Sequence, residues 1–235
     1  MSEAFKSFRC QSGFSSPPCY ASGIAPDYFD PLAVDPQQAA DVGRWRRAER
    51  DRLRAARRGL SIAERQRADA ALSRSLRELL RDRFDGARGL VLSAYWPIKG
   101  EPDLRPLMTD LHLGGVEIAL PVVETRAAPL IFRRWTPETR MIRGHWNIPV
   151  PPPEAPSVIP AIVLAPLLGW SGDGFRLGYG GGYFDRTLAA LKPRPFAIGI
   201  GFEAARLPTI YPQPHDIPLN VILTEAGSYP ARQTG

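Results

Sequence analysis

The sequence has little cysteine and no long apolar run, and these absences exclude several classes of protein. Its 235 residues include two cysteines, Cys10 and Cys19, which are too few for a disulfide framework or a four-cysteine zinc site. No stretch approaches the ~18 consecutive apolar residues of a membrane-spanning helix, and the first residues lack the apolar segment of a signal peptide. We therefore predict a cytoplasmic protein with free thiols and no membrane partner.

Histidine is also scarce, which argues against two further kinds of site. The three histidines, His112, His145 and His215, are too widely separated in the sequence to form a metal-ligand motif. They form no Ser/His/Asp arrangement either, so a covalent nucleophile is not predicted. Apolar residues make up 44% of the chain, which is enough for one sizeable core at this length.

Positive charge is concentrated in one segment of the chain. Residues 44–88 hold fifteen arginines against seven acidic residues. Such a segment suits a polyanion, which could be nucleic acid, a nucleotide triphosphate or a multiply carboxylated small molecule. It is also typical of a solvated helix surface. Only Trp45 and Phe84 supply aromatic rings between these arginines, which weakens the case for an interface with single-stranded nucleic acid.

Two amphipathic helices are predicted at the start of the main domain. The first runs from about Gln38 to Arg58 and ends at Gly59. The second begins after Ser61, which with Glu64 fits a capping box. Residues spaced by three or four predict its buried stripe at Ala68, Leu72, Leu76 and Leu79.

Strands and helices alternate in the rest of the chain. Strands are predicted at 89–96, 116–123, 161–166, 195–202 and 220–225, the last of the chain, with an antiparallel hairpin strand at 130–135. A short helix carries Leu104, Leu107 and Leu111, and another begins at Tyr183. This order predicts an α/β fold, a Rossmann-like layered sandwich with a mostly parallel central sheet flanked by helices. Its site is expected at the carboxyl ends of the strands.

The predicted organisation has three parts. Residues 1–40 form an N-terminal extension to which the sequence assigns no role, residues 41–228 form a single α/β domain, and residues 229–235 form a C-terminal tail. Both a monomer and a homodimer are compatible with the sequence.

The strongest sequence signal is the glycine-rich segment GWSGDGFRLGYGGGYFDR, residues 169–186, which holds seven glycines. Glycine permits positive φ and lets backbone N–H groups approach an anion closely. If Tyr183 begins a helix, these N–H groups and the positive helix end point at the same volume. The segment therefore predicts a phosphate cradle, although it is neither a Walker loop nor a dinucleotide fingerprint.

Two charged residues in this segment suggest the chemistry of the cradle. Arg176 supplies a cation. Asp185 falls in the first turn of the predicted helix, where a carboxylate beside a phosphate suggests a bridging Mg²⁺. Its alternative role is a favourable charge at the helix N-terminus or a partner for Arg186.

The stretch RLGYGGGYFDR resembles the signature of the 5-formyltetrahydrofolate cyclo-ligase family, also called methenyltetrahydrofolate synthetase, in its bacterial form. The segments YWPIKGEPD, WNIP and HDIPLNVILTE follow the order of the family, so the resemblance covers about residues 43–225. It implies that 5-formyltetrahydrofolate and ATP, with Mg²⁺, give 5,10-methenyltetrahydrofolate, ADP and phosphate. In this reaction the formyl oxygen is phosphorylated, N10 attacks, and phosphate leaves.

The same resemblance implies the residues of the site. Nucleotide contacts are expected at Arg46, Arg50, Arg176, Gly178, Tyr179, Gly180, Gly181, Gly182, Tyr183 and Phe184. Folate contacts are expected at Trp96, Glu101, Asn147, Tyr179, Gly180, Gly181, Gly182 and Tyr183. Asp185 and Asp216 match the metal-linked aspartates, and Arg176 and Tyr183 are the expected catalytic residues. The family has lysine where this chain has Arg46.

The chemistry of these residues is compatible with the roles. A carboxylate such as Glu101 can accept hydrogen bonds from the amino-pyrimidinone edge of a pterin, and Trp96 offers a flat surface for its ring. Arg46 and Arg50 are four residues apart and so share one helix face. We favour a reduced folate, with or without a polyglutamate tail, as substrate and no nucleic-acid partner. The alternatives are a divergent member acting on another formyl or acyl substrate, and an arginine-rich nucleic-acid-binding module.

Overall fold

The computed structural model describes residues 36–231. The described residues from 40 onward belong to one unit, and the architecture below concerns this unit and the start of its first helix. The predicted extension, including Cys10 and Cys19, lies almost wholly outside the described residues. No helix in the described part is long and apolar enough to cross a membrane.

Two long helices open the structure, as predicted. Helix α1 spans Pro36–Gly59 and helix α2 spans Ile62–Phe84. The predicted capping box is confirmed, because the Ser61 side chain accepts from the Glu64 N–H and the Glu64 carboxylate accepts from the Ser61 N–H at 2.8 Å. The buried face of α2 ends with Leu80, whereas Leu79 is only partly buried. The predicted stripe is therefore wrong in its last residue, because the spacing from Leu72 onward is a regular four.

Twelve strands and two further helices follow in the described residues. The strands are β1 (Val91–Ser93), β2 (Glu117–Val122), β3 (Ile131–Arg134), β4 (Ile142–Arg143), β5 (Pro149–Val150), β6 (Ile162–Pro166), β7 (Gly169–Ser171), β8 (Arg176–Leu177), β9 (Phe196–Ile200), β10 (Arg206–Leu207), β11 (Val221–Thr224) and β12 (Gly227–Pro230). Helix α3 spans Arg105–Leu113 and helix α4 spans Tyr183–Ala190.

The main sheet has seven strands in the order β12-β11-β9-β6-β1-β2-β3. Strands β11, β9, β6, β1 and β2 are parallel, and the two edge strands β12 and β3 are antiparallel. This confirms the predicted layered α/β sandwich and the antiparallel pairing of the 130–135 segment.

The two faces of the sheet carry different helices. One face buries Leu72 and Leu76 of α2 and Met108 of α3 against the central strands. The opposite face buries Leu53 of α1 and Leu188 of α4. Successive residues of a strand point to opposite faces, so strands covered on both sides are apolar throughout. This explains the unbroken apolar runs in the sequence.

The structure departs from the predicted strands in several places, three of which bear on the site or on the predicted boundaries. Strand β1 covers 91–93 of the predicted 89–96, because residues 95 and 96 leave the sheet to line a cleft. The glycine-rich segment contains β7 and β8, which form a small sheet with β10. The segment 220–225 is not the last strand, because β12 pairs with β11 and includes Tyr229 and Pro230. The predicted boundary at 228 therefore falls inside a strand.

Leucine side chains from neighbouring segments pack closely against Gly199 of β9, and this packing leads to a testable prediction. A Cβ on Gly199 would lie 2.8 Å from Leu219 Cδ1 and 3.0 Å from Leu167 Cδ1. We expect Gly199→Ala to lower the free energy of unfolding by about 1–3 kcal/mol through overpacking, measured by urea denaturation. The control is Gly43→Ala in α1, where a Cβ meets no atom within 4 Å and where alanine should stabilise the helix by ~1 kcal/mol. Equal effects of the two changes would contradict tight packing at Gly199.

Candidate active site

A cleft of about 680 Å³ lies where the chain leaves the carboxyl ends of β1, β2 and β6. Tyr95 and Trp96 follow β1, Val123 follows β2, and Pro166 ends β6, and all of them line the cleft. Most other lining residues are apolar or aromatic, with Glu101 as the charged exception. In α/β folds of this type ligands bind beyond this edge of the sheet. The cleft therefore suits a flat, largely apolar ligand with one hydrogen-bonding edge.

Glu101 is the buried acidic group of this cleft. Its side-chain Oε2 accepts a hydrogen bond from the Ile98 N–H at 3.0 Å, and the hydroxyl of Tyr179, which lines the same cleft, also interacts with it. Burial raises the pKa of Glu101 to about 7, although the Ile98 N–H, Arg57 and Tyr179 act in the opposite direction. A carboxylate with this pKa changes its charge close to neutral pH.

An aromatic cluster lies at the mouth of the cleft. The Trp146 ring is 60% exposed and meets the Tyr183 ring edge-on, with centroids 5.7 Å apart. His145 lies 4.5 Å from Trp146 by the same measure. Trp146 and Asn147 both have positive φ, 55° and 61°, which is an uncommon and costly conformation for residues other than glycine. The strained turn brings the Trp146 ring to the cleft.

A second cleft, of about 930 Å³ and open to solvent, lies on the other side of the glycine-rich segment. Gly180, Gly181 and Gly182 line it, together with Asp185 and Arg186 of α4 and with residues of the 214–217 loop. Tyr179 and Tyr183, which flank these glycines, line the apolar cleft instead. The segment thus forms a common wall between the two clefts.

The glycines are required by the geometry of this wall. Gly180 has φ +99° and a Cβ there would lie 3.4 Å from the Arg50 guanidinium carbon. A Cβ on Gly181 would lie 2.8 Å from the Tyr183 ring. Gly182 is the N-cap of α4 in the left-handed region, and no side chain caps the helix. The N-terminus of α4 therefore offers free N–H groups and a positive helix end to an anion.

Arg46 and Arg50, the two arginines of α1 expected to contact the nucleotide, differ in their existing protein contacts. Arg46 donates to the carbonyls of Ile210 and Tyr211 at 3.1 and 2.9 Å and forms an ion pair with Asp216 at 2.5 Å. Arg50 donates from Nε to the Gly178 carbonyl at 2.8 Å, and no carboxylate of the described residues pairs with it. Burial lowers the pKa of Arg50, and the positive charges of Arg46 and Arg54 lower it further. Arg50 is thus the cation available to an anion beside Gly180.

Asp185 and Asp216 come together around Arg176. Asp185 Oδ2 lies 2.9 Å from Arg176 Nη2, and Asp185 Oδ1 accepts from the N–H of Ile217, the neighbour of Asp216. Arg176 is buried, which lowers its pKa, while the charges of Asp185 and Asp216 raise it. Neither Nε nor Nη2 of Arg176 has an acceptor in hydrogen-bond geometry among residues 36–231. This buried guanidinium is therefore short of hydrogen-bond partners.

The carboxylates beside the second cleft meet the needs of a magnesium site only in part. Within the described part of the chain, no group of three or more His, Cys, Asp or Glu side chains is placed to hold a metal ion. Mg²⁺ usually binds one or two carboxylates and completes its shell with water and phosphate oxygens. The two aspartates near the second cleft fit that arrangement, with the nucleotide supplying the other ligands.

The structure distributes the expected site residues between the two clefts. Trp96, Glu101, Tyr179, Tyr183 and Phe184 line the apolar cleft, and Gly180, Gly181, Gly182 and Asp185 line the second. Arg46, Arg50, Arg176, Gly178 and Asp216 join them through the contacts above. Phe184, expected at the nucleotide, thus lies on the apolar side. Asn147 does not line either cleft, whereas its neighbours Trp146 and Ile148 line the apolar one.

Three residues of the site were not anticipated as functional. Arg57 donates to the Tyr179 hydroxyl at 3.2 Å. Arg186 donates to the Gly181 carbonyl and lies over the Tyr183 ring, 5.4 Å from its centroid. Trp146 lines the mouth of the cleft. Trp146 lies in the WNIP segment and Arg186 ends the RLGYGGGYFDR segment, so both had a sequence signal, whereas Arg57 is one of many arginines in the chain.

Comparisons with known proteins agree with the resemblance. Residues 42–225 match the 5-formyltetrahydrofolate cyclo-ligase family. The chain is 27% identical over 180 residues to the 5-formyltetrahydrofolate cyclo-ligase of Haemophilus influenzae, covering 74% of this chain and 94% of the relative. The enzyme of that name from Mycolicibacterium smegmatis is 31% identical over 157 residues, 63% of this chain and 80% of the relative.

A solved structure shares the architecture. The 5,10-methenyltetrahydrofolate synthetase of Aquifex aeolicus superposes with a TM-score of 0.65 at 28% identity, covering 81% of this chain and 94% of that one. The sequence match, the shared fold and the glycine-rich wall lead to the same assignment. The chain is an enzyme that belongs to the 5-formyltetrahydrofolate cyclo-ligase family.

Proposed function

We propose that the protein converts 5-formyltetrahydrofolate to 5,10-methenyltetrahydrofolate in a reaction that needs ATP and Mg²⁺. The observation that carries this proposal is the wall of residues 179–184 shared by the two clefts. A folate in the apolar cleft and a triphosphate in the second would be held side by side. Holding two reactants in contact removes much of the entropic barrier to their reaction.

The reaction places limited demands on the protein. The formyl oxygen attacks the terminal phosphorus of ATP and ADP leaves. N10 then attacks the formyl carbon, N10 loses its proton, and phosphate departs with the former formyl oxygen. None of these steps needs a covalent bond to a side chain. The side chains therefore act by positioning and by balancing charge, for which Arg50, Arg176 and the N-terminus of α4 are suited by their positions.

Asp185 and Asp216 are the proposed holders of Mg²⁺. When bound, the metal would supply positive charge to the phosphate oxygens. Each aspartate already faces an arginine, so the protein compensates their negative charge before the metal arrives. Arg46, the counterpart of the family lysine, is thereby engaged with Asp216 and contributes to the site through that contact.

Glu101 and the aromatic side chains are the proposed binders of the folate. Its ionised carboxylate accepts hydrogen bonds from the donor edge of the pterin, and Trp96 and Tyr183 provide aromatic surface. The cleft walls of Leu120, Leu130 and Ile148 exclude water from the apolar parts of the ligand.

The activity is tested directly with the purified full chain. Incubation with 5-formyltetrahydrofolate, ATP and Mg²⁺ should give the absorbance of the methenyl product, and omission of ATP or chelation of Mg²⁺ should abolish it. Product formation without ATP would contradict the proposed reaction. If 5-formyltetrahydrofolate is not used, ADP release with other formyl or acyl compounds would identify a divergent substrate.

The ionisation of Glu101 predicts how folate binding depends on pH. Since its pKa is raised to about 7, the ionised fraction falls as the pH drops below 7. We expect the KM for the folate to rise about 10-fold between pH 8 and pH 6, and the KM of Glu101→Gln to be high and nearly independent of pH. A wild-type KM that stays constant over this range would contradict the proposed role of the carboxylate.

The arginine-rich segment does not favour nucleic acid. Several of its exposed arginines pair with acidic neighbours, including Arg52 with Glu49, Arg54 with Asp51 and Arg81 with Asp82. Others point inward, as Arg46 and Arg57 do. Both effects reduce the charge available to a polyanion. Filter binding to DNA and RNA across a range of salt concentrations tests this alternative, and tight, salt-dependent binding would support it.

A further inference from the structure

Arg57 is a buried arginine that lines neither of the two clefts described above. It lies in the last turn of α1 and is 4% exposed. Its Nη1 donates to the Tyr179 hydroxyl at 3.2 Å, and its Nη2 donates to the Leu167 carbonyl. The guanidinium also lies over the Phe202 ring, 5.7 Å from the centroid. Its orientation is therefore fixed from three sides.

The charge of Arg57 needs compensation because a buried cation is costly without a partner. The Tyr179 hydroxyl accepts from Arg57, and it interacts with the Glu101 carboxylate, which lines the same cleft as Tyr179. The positive charge of Arg57 also attracts the Glu101 carboxylate directly, and this attraction opposes the effect of burial on the pKa of Glu101. The three side chains thus form a continuous series of interactions from α1 to the apolar cleft.

This series of interactions connects three segments, each of which carries a residue of the proposed site. Helix α1 carries both Arg50 and Arg57. The glycine-rich segment carries Tyr179, and the turn after β1 carries Glu101. A Cβ on Gly100 would lie 3.5 Å from Arg57 Cγ, so the turn packs directly against the arginine. A change in the position of Arg57 would therefore alter both Tyr179 in the glycine-rich segment and the turn that carries Glu101.

We propose that Arg57 is a positioning residue that, through the Tyr179 hydroxyl, holds the Glu101 carboxylate in place and in its charged form. This inference rests on the proposed function, since it matters for catalysis only if Glu101 binds the folate. Other groups also act on this carboxylate. Lys99 on the same turn opposes its protonation, and the charges of Glu101, of Asp69 on α2 and of Asp103 act together on the buried Tyr95 hydroxyl.

The test measures the titration of Glu101 in the full chain without substrate. Carbon-13 labelling of the glutamate carboxyl groups allows the Glu101 signal to be followed by NMR, with Glu101→Gln to assign it. We expect Arg57→Met to raise the midpoint by ~1 pH unit or more, because an opposite charge is removed. Arg57→Lys keeps the charge and should raise it less. The matched control is Arg58→Met, which removes the same charge from the exposed neighbour and should leave the midpoint unchanged.

A kinetic measurement separates this inference from the proposed function. At pH 7 the KM for the folate should rise about 5-fold in Arg57→Met, since fewer molecules carry the ionised carboxylate, while the KM for ATP changes less than 2-fold. A raised midpoint with an unchanged folate KM would uphold the role of Arg57 and contradict that of Glu101 toward the folate. An unchanged midpoint, or equal shifts in Arg57→Met and Arg58→Met, would overturn the inference.

A second variant covers the case in which Arg57→Met does not fold. Tyr179→Phe removes the linking hydroxyl but keeps the ring and Arg57. Because the hydrogen bond from Tyr179 also opposes protonation of Glu101, this variant should raise the Glu101 midpoint as well. A wild-type midpoint in Tyr179→Phe would overturn the linkage.

Discussion

Replacing Arg50 by alanine should raise the KM for ATP by ~10- to 150-fold. The side chain lies beside Gly180 and has no carboxylate partner in the described part of the chain, so its positive charge remains available to a phosphate. A charge-assisted hydrogen bond of this kind contributes ~1.5–3 kcal/mol, which corresponds to that change in affinity. Steady-state kinetics with ATP varied at saturating folate measure the effect, and the KM for the folate should change less.

Two control variants separate a direct contact from a general effect of charge. Arg81→Ala removes one charge from an exposed residue of α2 that pairs with Asp82. Arg47→Ala removes one from an exposed residue on α1 itself. Long-range attraction fades over a Debye length of ~10 Å at 0.1 M salt, so raising the salt should diminish any effect of the controls. Equal, salt-sensitive effects of all three changes would contradict a phosphate contact at Arg50.

A third variant distinguishes the charge of Arg50 from its structural contact. Arg50 Nε also supports the glycine-rich segment by donating to the Gly178 carbonyl. Arg50→Lys keeps the positive charge but lacks the guanidinium Nε that donates to the Gly178 carbonyl. If the loss of charge is what matters, the KM for ATP in Arg50→Lys should lie much closer to the wild-type value than to that of Arg50→Ala.

The parts of the fold that the sequence predicted are those whose signals are local. The capping box of Ser61 and Glu64 needs only residues three apart, and the apolar runs of the parallel strands reflect burial on both faces. Strands β7 and β8 were missed because they are two or three residues long and rich in glycine, so they show no alternation. Strand β12 was missed because only its pairing with β11 makes it a strand.

The site was predictable to the extent that it lies in contiguous motifs. The segment from Tyr179 to Phe184 forms the wall as a single piece of sequence. The contacts of Arg46 with Asp216 and of Arg57 with Tyr179 join residues more than a hundred positions apart. No spacing rule reports such contacts, so the engagement of Arg46 and the existence of a buried arginine behind Glu101 became visible only in the structure.

Asp185→Asn should lower kcat by about 100-fold or more. It exchanges an anionic oxygen for a neutral one at nearly equal volume, which weakens a magnesium ligand. The amide oxygen can still accept the hydrogen bond from the Ile217 N–H, so the local backbone should be retained. The Mg²⁺ concentration that gives half-maximal activity should rise in the same variant. Asp216→Asn should act more weakly, since Asp185 lines the second cleft and Asp216 does not.

The contribution of Asp185 to structure has to be measured separately, because its loss also leaves the buried Arg176 without a counter-charge. Removing one partner of a buried pair costs ~3–5 kcal/mol of stability, which thermal unfolding of the variant would reveal. Calorimetric titration of ADP with and without Mg²⁺ isolates the metal, because only a ligand role predicts that the Mg²⁺-dependent gain in affinity disappears. Asp173→Asn removes the same charge from an exposed position in the same glycine-rich segment and should retain that gain. If Asp185→Asn retains it as well, Asp185 is a structural partner of Arg176.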